Sequence, residues 1–133
     1  MEQSFGRYRL LERLGEGGMA EVFKAKSFGV EGFEKVLVIK RILPKLAEHP
    51  KFVDMFVHEA KLAVRLSHAN IVQVFDLGRV DHPTGEPTSY FIAMEYVPGL
   101  DLASVLTRCR RQKREVPLGM AVFVAAEVAK ALD

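Results

Sequence analysis

The feature that most restricts this chain is a run of small residues, Gly15-Glu16-Gly17-Gly18-Met19-Ala20, set between two stretches with strand patterning. Tyr8 to Leu14 precedes it, and Glu21-Val22-Phe23-Lys24-Ala25-Lys26 follows with the two-residue alternation of a half-buried strand. A dinucleotide-binding turn of this G-x-G-x-x-A form opens a helix instead, and a P-loop needs Gly-Lys followed by Ser or Thr, which is absent. What remains is a hairpin whose glycines let backbone N–H groups approach an anion, phosphate oxygens above all. On these residues alone, an ordinary surface hairpin is an equal reading.

The rest of the chain continues as three strands, a helix, two strands, a breaker and two helices. Lys35-Val36-Leu37-Val38-Ile39-Lys40 reads as the third strand, with Gly29 and Gly32 in the turn before it, so two successive antiparallel hairpins are expected. After Pro44 the spacing changes: Phe52, Met55, Phe56, Glu59, Leu62, Ala63 and Leu66 fall on one face of a helix of about four turns. Ile71 to Phe75 and Tyr90 to Tyr96 read as two further strands, joined by a loop of turn formers from Asp81 to Ser89. Pro98-Gly99 breaks the chain, Asp101 is placed to cap a helix through Leu102, Val105 and Leu106, and Pro117 can begin the last helix. That last helix is apolar on nearly every side from Met120 to Leu132, which predicts burial by a continuation of the chain or by a partner.

Two charged residues stand out against this pattern. Lys40 ends an apolar strand, and Glu59 is the one acid on the apolar helix face. An ammonium turned toward a core needs an anion, and a Lys–Glu pair beneath a glycine-rich hairpin presents a fixed cation to phosphates. Taken singly, each is better explained as a surface residue.

In order along the chain, these segments resemble the protein kinase family, and bacterial-type serine/threonine kinases in particular. Leu14 to Val22 is similar to the family's glycine-rich loop, Val38-Ile39-Lys40 to its strand lysine, and Glu59 to its helix glutamate. His68-Ala69-Asn70-Ile71-Val72 resembles a family turn, Met94-Glu95-Tyr96-Val97 the hinge, and Gly99-Leu100-Asp101-Leu102 the entry to the large lobe. The resemblance implies an α+β small lobe, a five-stranded antiparallel sheet with one helix, over residues 1–97. The hinge exit and first two helices of an incomplete large lobe follow over 98–133.

It also implies the site. Leu14, Val22 and Val38 would sandwich the adenine of ATP, with the Glu95 carbonyl and the Val97 N–H on its edge, Met94 behind it and Asp101 at the ribose. Gly15, Gly17 and Gly18 would cover the phosphates, and Lys40 would hold them with Glu59 fixing its position. Ala20 stands where the family has a third glycine, Val38 where it usually has alanine, and Ala69 where it has proline; none of these removes a charged or hydrogen-bonding group. The family's catalytic loop and D-F-G motif are absent from residues 1–133, so the ligands of Mg2+ are expected beyond residue 133 and this segment alone is expected to be inactive. Asp76-Leu77-Gly78 has a similar composition but precedes the hinge, and is read as a turn at a strand end. The expected activity of the parent is transfer of the γ-phosphoryl of ATP to Ser or Thr of a protein substrate. The alternative is a non-catalytic kinase-like module that binds nucleotide or protein.

Other chemistries are not supported. His58-Glu59 would begin a zinc-binding helix, but residue 62 is leucine where a second histidine is required, so no metal site is assigned. Nineteen Lys and Arg against seventeen Asp and Glu give a net charge of +2, which makes no case for nucleic acid. The one basic run, Arg108 to Arg114, is read as the solvated face of a helix rather than a docking patch for an acidic partner. A lone cysteine, Cys109, an N-terminal stretch without an apolar leader and the lack of a ~20-residue apolar span predict a cytoplasmic segment with no membrane contact.

Overall fold

The computed structural model describes residues 2–133. Its elements are β1 (Gln3–Phe5), β2 (Tyr8–Glu16), β3 (Ala20–Phe28), β4 (Glu34–Ile42), α1 (Pro44–Ala47), α2 (Pro50–Ala63), β5 (Val74–Val80), β6 (Ser89–Met94), α3 (Leu102–Arg111) and α4 (Leu118–Leu132). They form two compact units: the chain up to Ser67 together with Val72–Tyr96, and His68–Ile71 together with Val97–Asp133.

The first unit is one antiparallel sheet in the order β1-β2-β3-β4-β6-β5. The two expected hairpins are present. Glu16 pairs with Glu21 across the first turn, and Phe28 with Glu34 across the second, where Glu31 and Gly32 take left-handed backbone with φ of 56° and 77°. Register then fixes which side chains share a face. Phe23, Ile39 and Ala93 lie in one cross-strand row, Val22, Lys40 and Ile92 in the next, and successive residues of a strand point to opposite faces.

Each face has its own core. On one, Ile39, Leu37, Ala25 and Ala93 pack with Phe5, Tyr8 and Phe91, whose rings meet edge to face at 5.3 Å for Phe5–Phe91 and 5.5 Å for Tyr8–Phe91. The Arg41 guanidinium crosses this side, 4.9 Å from the Phe23 ring centroid and 5.4 Å from that of Phe5, and it donates to Glu21 on the neighbouring strand. On the other face α2 covers the sheet. Phe56 and Ala60 pack against Ala20, Ile42, Val74 and Ile92, and full burial of the Phe56 ring contributes about 1.5–3 kcal/mol.

Several expectations change. The sheet has six strands rather than five, because the three-residue β1 is too short to show a period. β4 runs on to Ile42, so Lys40 lies inside the strand and not at its end. α1 is a single turn begun by Pro44 at its first position, which the spacing did not reveal. Of the residues assigned to the packed face of α2, Phe52, Phe56 and Ala63 are in the core with Ala60 and Val53, whereas Met55, Leu62 and Leu66 are exposed.

The largest shift is in β5, which starts at Val74 rather than Ile71 and contains Asp76-Leu77-Gly78. The reading of that tripeptide as a turn is overturned. Gly78 faces Phe91 across the ladder, and a Cβ there would lie 2.5 Å from Phe91 Cζ. Glycine at 78 therefore marks close approach of a ring to the backbone, not a reversal of the chain.

In the second unit, Asp101 caps α3: its Oδ1 accepts from the Ser104 N–H at 2.7 Å. α4 begins after Pro117, as the sequence predicts. Between them Lys113 takes left-handed backbone, φ 53°, just past the end of α3. The His68–Ile71 turn is tied to α4 by Asn70, whose amide donates to the Glu127 carbonyl at 2.9 Å and to its Oε2 at 2.7 Å. Lys130 donates to Glu127 Oε1 at 2.8 Å. The Glu127 carboxyl is accordingly held below the usual carboxylate range, first by Lys130 and then by Asn70. Leu118, Phe123, Val128 and Leu132 of α4 are exposed, so the helix carries the apolar surface whose cover the sequence assigns to a continuation of the chain or to a partner. Among the described residues no helix is long and apolar enough to cross a membrane.

Candidate functional site

Lys40 and Glu59 are brought together. Lys40 is fixed by pairing with Val22 on one side and Ile92 on the other, on the sheet face that α2 covers. Glu59 sits one turn after Phe56, whose ring is 1% exposed and sets the rotation of α2 against the sheet. Lys40 Nζ lies 3.2 Å from Glu59 Oε1. The side chains are 30% and 56% exposed, so the pair is not the desolvated one the sequence suggested. A half-exposed pair of this kind contributes about 0–1 kcal/mol to folding, which leaves its charge available to a ligand.

A cavity of about 280 Å3 opens in front of this pair. Its walls are the hairpin residues Gly17 to Ala20, Val22 and Lys40 from the sheet, and Phe56 and Glu59 from α2. The glycines are not demanded by the fold. A Cβ at Gly15 or Gly18 would meet nothing within 4 Å, one at Gly17 would make an ordinary 3.8 Å contact with the Ala20 carbonyl, and none of the three has left-handed backbone. The Gly17 N–H closes the hairpin on Ala20 O at 2.7 Å, and none of the turn and loop hydrogen bonds among the described residues uses the N–H of Gly18 or Met19. Gly18, Met19 and Lys40 all line this cavity, so two residues with backbone N–H groups outside those bonds and one ammonium belong to the same space, a combination suited to an oxyanion.

The remaining assigned residues stand as follows. Leu14 is the extra residue of a bulge between Arg13 and Gly15 and is exposed; a bulge re-aims its side chain out of the regular alternation. Val38 pairs with Met94 across β4 and β6, two residues along from Lys40, so Val22, Val38, Lys40 and Met94 share one sheet face. Leu14, Val38 and Met94 do not line the 280 Å3 cavity. Glu95 is anchored to Gln73 in both directions, its N–H donating to Gln73 O at 2.8 Å and its Oε2 accepting from Gln73 N at 3.1 Å. Val97 and Asp101 belong to the second unit. Hydrogen bonds from Ser104, side chain first and backbone second, hold the Asp101 carboxyl below the usual range, and the capping bond uses only Oδ1. Met19 and Phe56 are cavity residues that the sequence reading did not select. Both had a usable signal: Phe56 shares a helix face with Glu59 at a three-residue spacing, and Met19 lies inside the glycine-rich run itself.

Residues 8–133 match the family described as the protein kinase domain. The chain is 44% identical over 130 residues to the tyrosine-protein kinase MasK of Myxococcus xanthus, covering 98% of this chain and 19% of that protein. It is 40% identical over 128 residues to the serine/threonine-protein kinase PksC of Streptomyces coelicolor, covering 96% of this chain and 22% of that one. Its structure is similar to the crystal structure of the Mycobacterium tuberculosis PknI kinase domain, with a TM-score of 0.71 at 30% identity over 98% of this chain and 48% of that domain. The chain therefore spans about a fifth of the length of these curated relatives and about half of the solved domain.

Proposed function

The chain belongs to the protein kinase family, and on that premise we propose that its first unit holds ATP for transfer of the γ-phosphoryl group to Ser or Thr of a protein substrate by the full-length protein. The observation that carries this is the 3.2 Å pair of Lys40 and Glu59 at the mouth of a cavity roofed by the glycine hairpin. Lys40 is the cation for the phosphate oxygens, Glu59 keeps its long side chain in one position, and the N–H groups of Gly18 and Met19 add donors above it. Val22 borders the same cavity and provides the apolar cover where phosphate gives way to base. Val38 and Met94 continue that face of the sheet, and Leu14 projects from its bulge beside the hairpin. Glu95 offers its carbonyl to the base because Gln73 already engages its N–H and carboxylate. Val97 and Asp101 are assigned on the family resemblance alone. Magnesium, when bound, supplies neutralisation of phosphate charge, and its protein ligands are expected beyond residue 133.

Residues 1–133 lack a group to orient the acceptor hydroxyl, so this segment alone binds nucleotide without turnover. Incubation of the segment with Mg-ATP and a generic acceptor protein tests this, and any phosphorylation above background overturns it. Incubation of the full-length protein under the same conditions, followed by identification of the modified residue, tests the larger reading. Phosphoserine or phosphothreonine supports it. The 44% identical relative is named a tyrosine-protein kinase, which makes tyrosine the second reading for the acceptor, and phosphotyrosine as the sole product selects it.

A further inference from the structure

The basic run at the end of α3 is not absorbed by this function. Arg108, Arg110, Arg111, Lys113 and Arg114 place five cations within seven residues, against a net charge of +2 for the whole chain, so the remainder is net −3. Among the described residues none of the five takes part in an ion pair, whereas Arg7, Arg9, Arg13, Lys26, Lys40, Arg41, Arg79 and Lys130 all do. The C-terminal end of a helix tolerates such charge, because its carbonyls carry the negative end of the dipole. That explains why the run is stable and leaves its charge unused.

Helical geometry decides which way the run faces. At about 100° per residue, Leu102, Val105, Leu106 and Cys109 form one stripe, while Ala103, Ser104, Thr107, Arg108 and Arg111 form a second on the opposite side. The apolar stripe is the one that any covering element would take. The other lines a concavity of about 430 Å3 whose floor includes Leu100, so cations stand beside a small apolar patch. Thr107 donates back to Ala103 O at 3.0 Å, which leaves the arginines as the principal donors.

We infer that this stripe is a docking surface for an acidic segment of a partner polypeptide, with carboxylates on Arg108 and Arg111 and an apolar side chain over Leu100. Charge complementarity selects the occupant: fork-shaped guanidiniums suit carboxylate pairs, and the net negative remainder of the chain disfavours a long polyanion such as nucleic acid. The inference does not depend on phosphoryl transfer.

The test is fluorescence anisotropy of the full-length protein with a labelled twelve-residue peptide of Glu, Asp and Leu, its Gln/Asn counterpart, and single-stranded DNA of matched charge. The acidic peptide is expected to bind, and the double variant Arg108→Glu/Arg111→Glu to weaken it at least about tenfold. Arg108→Gln/Arg111→Gln, which removes charge without reversing it, should weaken binding to a smaller degree, and Lys51→Glu on α2 should have no effect. Equal binding of the amide peptide, no loss in either arginine variant, or DNA binding as tight as the acidic peptide through the same arginines would each overturn the inference.

Discussion

Adding a methyl group to the hairpin separates what the glycines do for the fold from what they do for a ligand. At Gly18 a Cβ meets nothing within 4 Å and the backbone is outside the left-handed region, so alanine fits without strain. A glycine replaced by alanine at such a position loses conformational freedom only in the unfolded chain, which stabilises the protein by about 0.4–1 kcal/mol. The chain spans 48% of a solved kinase domain, and for a domain of that larger size each kcal/mol moves the melting temperature by roughly 2–4 °C. Gly18→Ala in the full-length protein should therefore raise the ligand-free melting temperature by about 1–4 °C. Gly18 lines the cavity in front of Lys40; on the proposal that phosphate takes the Gly18 N–H there, losing that one charge-assisted hydrogen bond to the added methyl group, worth about 1.5–3 kcal/mol, predicts roughly ten- to hundredfold weaker nucleotide binding. Differential scanning fluorimetry with and without Mg-ATP reads both effects at once. A fall in the ligand-free melting temperature refutes the claim that the fold does not need this glycine, and an unchanged ATP-induced shift refutes its role toward phosphate.

Gly78→Ala should act in the opposite sense, costing about 1–3 kcal/mol, because its Cβ would sit 2.5 Å from Phe91 Cζ in a core that also holds Phe5 and Tyr8. Urea denaturation of Gly78→Ala, Phe91→Leu and the double variant checks the cause: the double should cost less than the two singles together, and strict additivity contradicts the overlap. Glu127 has a folded-state pKa below its unfolded value of about 4.3, so its contribution to stability is complete above that pH and is lost as pH falls through the lowered value. Stability of Glu127→Gln should decline less steeply than wild type between about pH 5 and pH 2, and parallel declines would contradict the assignment.

The sequence carried the alternation of β2, β3, β4 and β6 because each buries one or both faces against a continuous core. It carried the Lys40–Glu59 pair through the family pattern of a strand lysine and a helix glutamate, and not through any cost of burying them, since the side chains are 30% and 56% exposed. It did not carry β1, whose three residues pair with β2 and seat Phe5 against Phe91, a contact between positions 86 residues apart in sequence. Gly78 misled for a specific reason: glycine marks a turn and a close approach alike, and only the register opposite Phe91 separates the two. The exposure of Lys40 was hidden in the same way, since strand patterning gives a residue's face but not how completely the facing helix covers it.

The account rests on Lys40 acting toward phosphate and not toward the fold, and titration calorimetry of Mg-ATP into full-length wild type and Lys40→Met tests this directly. With 30% and 56% exposure of the paired side chains, the variant should melt within about 4 °C of wild type while binding nucleotide at least about tenfold more weakly and transferring no phosphate. Unchanged nucleotide affinity together with undiminished phosphorylation would contradict it.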